Sequence, residues 1–159
     1  MSWQRDKPAK RRMILWGLRV CAAAGLVVSA VVHVQLAPGY QQAAPGGVGQ
    51  GTLFLIQAGA AVLAAAFVLL RGSRTAFAAA AAVGFSSLGA VILYRYVQVP
   101  AIGPLPSMYE PVWYTAKVLT AVAEAVAGGL SLTGLALQGR GARFGSATQR
   151  RGRQGPSRT

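Results

Sequence analysis

Apolar residues run through this chain in four long blocks, at residues 13–36, 52–70, 75–99 and 112–137, divided by short stretches rich in Arg, Pro or Gly. Each block is near the roughly 20 residues that a helix needs to cross a bilayer core. None alternates with the period of two expected of a half-buried strand. The pattern predicts an all-α fold, a four-transmembrane-helix bundle. Its parts are a basic segment at 1–12, the membrane domain at 13–137 and a basic tail at 138–159.

The connections differ in character. Arg71-Gly72-Ser73-Arg74 is so short that blocks two and three must form an antiparallel hairpin. Residues 100–111 hold four prolines, which excludes a helix or a central strand and predicts a stiff extended strap. Glu110-Pro111 reads as a helix start, because proline suits the first helical position and a carboxylate suits the positive end of the helix dipole. Tyr94, Tyr96, Tyr109, Trp113 and Tyr114 gather near that boundary, as interfacial anchors do.

Composition agrees with lipid as solvent. The 159 residues are 53% hydrophobic and only 12% charged, against about 25% charged in soluble domains. The charges also predict an orientation. Arg5, Lys7, Lys10, Arg11 and Arg12 precede the first block, Arg71 and Arg74 lie in the middle connection, and Arg140, Arg143, Arg150, Arg151, Arg153 and Arg158 follow the fourth. Connections 37–51 and 100–111 hold no Lys or Arg. Basic residues stay on the cytoplasmic side, so N and C termini are expected to be cytoplasmic, in a cell membrane. The net charge of +13 is then explained by topology and by anionic lipid headgroups at the basic N-terminal segment and tail, with no nucleic acid expected. The polar, Gly-rich tail is expected to be disordered.

Ionisable residues inside the blocks are the candidate chemistry, since such groups face a bundle interior and pair there. In block four, steps of three and four place Glu110, Trp113, Lys117, Thr120, Glu124, Ala127 and Ser131 on one stripe. Val118, Leu119, Val122, Val126 and Leu130 fall elsewhere. Lys117 and Glu124 lie about 10.5 Å apart along the axis, too far for a pair within one helix. Depth along the other blocks sets His33, Gln57, Arg95 and Lys117 roughly level, with Glu110 above and Arg19 toward the opposite end.

Three readings of this polar seam stay open. Glu124 could pair with Arg19 or Lys117 as a clamp that fixes helix register, Arg95 turning to headgroups. The seven residues Arg19, His33, Gln57, Arg95, Glu110, Lys117 and Glu124 could instead line an outward-facing vestibule for protons or a solute. A groove for a membrane-protein partner, a second copy or a lipid is the third. No catalytic, cofactor or metal site is expected. One histidine and one cysteine cannot supply the three or four ligands of a zinc site, and hydrolase and Walker motifs are absent.

The stretch His33-Val34-Gln35-Leu36, then Tyr40, then Gly51-Thr52-Leu53-Phe54-Leu55-Ile56-Gln57 resembles small, uncharacterised four-span membrane proteins of actinobacterial type. That resemblance implies the same architecture and a bacterial source, and no activity. The expected role is a non-enzymatic accessory, scaffold or interaction component, with a small transporter or proton-coupled permease as the alternative.

Overall fold

Four helices follow one another: α1 (Asp6–Gln42), α2 (Gln50–Arg71), α3 (Arg74–Tyr96) and α4 (Thr115–Gly152). The computed structural model describes residues 6–42, 48–103 and 107–152, with side chains for 9–41, 48–103 and 107–139. Each helix contains a stretch long and apolar enough to cross a membrane, Ala9–Gln41, Gln50–Arg71, Arg74–Tyr96 and Thr115–Gly139. Among the described residues the fold is all-α, with four helices fit to cross a membrane, as in a multi-pass membrane protein. Its outward faces carry Leu55, Ile56, Leu63 and Leu70 on α2 and Val118, Leu119, Val122 and Val126 on α4, all exposed. In water such faces would be costly; against acyl chains they are solvated.

Lipid tails are as apolar as leucine, so burial gives little drive for these helices to associate, and close packing of small residues must supply it. The core is accordingly alanine-rich: Ala23, Ala30, Ala58, Ala61, Ala64, Ala65, Ala76, Ala80 and Ala127 surround Leu26, Val68 and Phe77. α1 packs along α2 and α4, and α3 along α4, while α2 and α3 touch less extensively. Two glycines set the closest approaches to α4. A Cβ on Gly25 would lie 2.9 Å from the Ala123 carbonyl oxygen, and one on Gly84 would lie 3.1 Å from that of Glu124. These contacts hold α1 and α3 tightly against α4 at the level of Glu124.

The short hairpin turn is built by its own residues. Gly72 takes a left-handed conformation (φ 52°) and its N–H closes α2 on the Val68 carbonyl. Ser73 then opens α3, its Oγ accepting from the Ala76 N–H at 3.1 Å. Two orphan sets of backbone groups are thereby partly satisfied within four residues.

Four boundaries depart from the pattern, the first being the start of α1 at Asp6, seven residues before the expected block. α1 continues through Pro38 to Gln42, six residues past the expected end. Proline in a helix costs about 3 kcal/mol; here the extension is held by Tyr40, whose ring packs on Phe54 at 4.8 Å and whose hydroxyl is fixed from across the bundle. α4 begins at Thr115 and not at Glu110-Pro111. The Glu110 N–H donates to the Tyr94 carbonyl at 2.9 Å and its own carbonyl accepts from Lys117, so this segment stays extended across the end of α3. Finally, helical backbone runs to Gly152, where a disordered tail is expected from 138; adding residues to an existing helix requires no new nucleus. The Pro-rich connection folds back on itself, with Val99 and Met108 paired as an antiparallel bridge and Met108 buried.

Candidate functional site

Where Met108, Tyr109, Glu110 and Tyr114 meet the bundle, the four helices leave a cavity of about 250 Å³. That is far more room than one water occupies, about 30 Å³ in the liquid. Its walls are mainly apolar, from Leu36, Leu53, Phe54, Ala90 and Val91. Polar groups enter from every side: His33 and Tyr40 on α1, Gln57 on α2, Ser87 and Tyr94 on α3, Lys117 and Thr120 on α4, and Glu110 from the connection. Ser86, which also borders it, is exposed on the outer face of α3. The cavity therefore reaches the bundle surface beside Ser86.

The floor is a knot of hydroxyl groups on Glu124, which is 0% exposed. One carboxyl oxygen, Oε1, accepts from Ser87 at 2.5 Å, Ser29 at 2.7 Å and Thr120 at 3.2 Å. Three helices thus supply one donor each to a single oxygen. The other, Oε2, is buried with no partner. His33 stands beside the knot. Its Nδ1 lies 2.8 Å from the Ser29 carbonyl, and since a carbonyl only accepts, Nδ1 carries the proton given to it. The 4.0 Å from Nδ1 to Glu124 Oε1 exceeds a hydrogen bond. Phe54 holds the ring edge-on, centroids 5.3 Å apart.

At the top, the Tyr40 hydroxyl meets the Tyr114 hydroxyl and Glu110 Oε2, each at 2.9 Å. Lys117 is buried, yet its ammonium donates to the Glu110 carbonyl at 2.5 Å and the Val112 carbonyl at 3.4 Å and lies 5.6 Å from the Trp113 ring centre. These carbonyls precede a helix and have no intrahelical donor, so Lys117 buckles the connection to α4.

Of the seven residues singled out in the sequence, His33, Gln57, Glu110 and Lys117 border one cavity and Glu124 lies beneath it. Arg19 and Arg95 do not line it. The Arg95 guanidinium lies over Tyr96 and Trp113, 5.0 and 5.9 Å from the ring centres. Arg19 is at the opposite end, its Nε donating to the Val68 carbonyl at 3.2 Å. The expected ion pair of Glu124 with Arg19 or Lys117 does not form, because both cations are taken by backbone carbonyls and hydroxyls surround the carboxyl group. Sequence reasoning missed Ser29, Ser87, Tyr40 and Tyr114 as site residues. Ser29 had a signal, standing one turn before His33; Ser87 had only its polarity in an alanine-rich span.

Gln57 Nε2 is a further buried polar atom without a partner, on a residue that faces the cavity. Among the described residues, no group of three or more His, Cys, Asp or Glu could hold a metal ion. No protein-family model matches the chain, and no curated protein or solved structure is significantly similar to it.

Proposed function

We propose that this chain is a non-enzymatic accessory protein of a bacterial cytoplasmic membrane, with both termini on the cytoplasmic side, that captures a small amphiphile in the cavity above Glu124. The observation that carries the reading is the cavity itself: apolar walls, a hydrogen-bonding floor, and a rim that reaches the exposed Ser86 on the outer face of α3. A ligand pocket is mostly apolar with a few placed polar groups. Gln57 Nε2 has no protein partner and offers a donor to a polar head, while Leu53, Phe54 and Val91 suit an apolar body. Ala90→Phe places a ring in this space and provides the test. Native mass spectrometry of the protein released from native membranes should find a small molecule on the unaltered chain and at least tenfold less on Ala90→Phe. Equal loading of both, with helicity retained, overturns the reading.

The permease alternative keeps one supporting observation, the polar path from the cavity through Ser87 and Thr120 to Glu124. Beneath Glu124, however, Leu26, Ala61, Phe77, Ala80 and Ala127 are all fully buried and close the way. Proteoliposomes are accordingly expected to show no proton flux above protein-free vesicles. Flux abolished by Glu124→Gln supports transport instead.

A further inference from the structure

A second cavity, about 480 Å³, lies at the opposite end of the bundle and is lined by Arg11, Arg12, Trp16, Arg19, Arg71 and Gln138, among others. Three of its four arginines come from α1 and one from the end of α2. The whole chain has three acidic residues, Asp6, Glu110 and Glu124. Glu110 belongs to the first cavity and Glu124 to its hydroxyl knot. Among the described side chains, none of the four guanidinium groups makes a salt bridge with a carboxylate.

This cluster is organised. Arg19 lies 5.4 Å from the Trp16 ring centre and donates its Nε to Val68 O. It rests against Gly72 so closely that any Cβ there would overlap the guanidinium. Arg11 Nη2 donates to the Leu137 carbonyl at 3.0 Å, and Gln138 Nε2 to the Gly72 carbonyl at 2.6 Å. Helices α1, α2 and α4 are tied together around the cavity by these bonds. A guanidinium has five donors, so Arg19 and Arg11 retain most of theirs. Arg12 and Arg71 are fixed by no bond to another described residue.

We infer that this cavity is a binding site for the phosphate group of an anionic phospholipid. Guanidinium groups match phosphate oxygens in a fork geometry, and basic pockets between membrane helices accept phospholipid headgroups. A lipid is favoured over a free anion by what surrounds the arginines. Trp16, Met13 and Leu70 are large apolar residues at this end, 53%, 73% and 78% exposed, and they provide a surface for acyl chains directly beside the charge.

The test is a lipid titration followed by native mass spectrometry, with the full chain in detergent and phosphatidylglycerol as probe. Arg12→Gln and Arg71→Gln are the variants, since neither side chain is bonded to another described residue. Arg74→Gln is the control: it is basic, lies at the same end and does not line the cavity. Each variant should weaken phosphatidylglycerol binding about fivefold, and the double variant about twenty-five-fold, as expected for loss of single charges near a headgroup. Arg74→Gln should leave binding unchanged. An equal loss in Arg74→Gln overturns the site in favour of diffuse charge. Displacement of bound phosphatidylglycerol by millimolar inorganic phosphate overturns the lipid as ligand and leaves a free-anion site.

Discussion

Glu124 is an acid held by alcohols. Three hydroxyl groups from α1, α3 and α4 converge on one of its oxygens, so the group that would be most costly to bury becomes a tie between helices. Each bond lies in a low-dielectric interior, where loss of a single donor is felt strongly. Ser87→Ala should therefore destabilise the protein by about 1–3 kcal/mol, read from unfolding in mixed micelles. Ser86→Ala, one residue away, removes an exposed hydroxyl that bonds only to its own helix at Val83, and should stay within about 0.5 kcal/mol. This difference is the part of the site that periodicity could not supply. Spacing placed seven residues on one face of α4; Lys117, Thr120, Glu124, Ala127 and Ser131 are buried there, whereas Glu110 and Trp113 precede the helix. It could not choose their partners. Arginine and lysine reach so far that nearly any depth permits a pair with Glu124, whereas a serine works only where a glycine has brought its helix close, as Gly25 and Gly84 do.

Helix ends show the same division between what pattern decides and what neighbours decide. The four blocks locate four helices because lipid demands internally bonded backbone over each crossing. The limits at Gln42 and Thr115 depend on tertiary bonds, those of Tyr40, Tyr114 and Lys117, which local rules for proline and capping do not contain. The turn between α2 and α3 is the opposite case, set almost wholly by Gly72 and Ser73. Gly72→Ala should cost about 1–2 kcal/mol for its left-handed conformation, and more because the added methyl displaces the Arg19 guanidinium. A double-mutant cycle separates the two. With Arg19→Ala already present, Gly72→Ala should cost only the backbone part, a departure from additivity measurable in the same unfolding assay. Additive values would show that Arg19 gains nothing from its seat.

The bundle as a whole divides its surface between two solvents. Cys21 tests the division because it is the chain's one cysteine and is exposed on α1, within the stretch Ala9–Gln41. In vesicles a charged maleimide should not label it, whereas the protein unfolded in denaturant should react within minutes; rapid labelling in intact vesicles would place this face in water. Reporter fusions at either terminus should both read as cytoplasmic, following the basic residues at the start of α1, toward the end of α4 and on either side of Gly72. Between the two cavities stands the packed layer of Leu26, Ala61, Phe77, Ala80 and Ala127. Its consequence is electrical. On the accessory reading proposed above, an ion that reached Glu124 would still face this buried apolar layer, the membrane voltage would fall across it, and the protein could accumulate without dissipating a gradient.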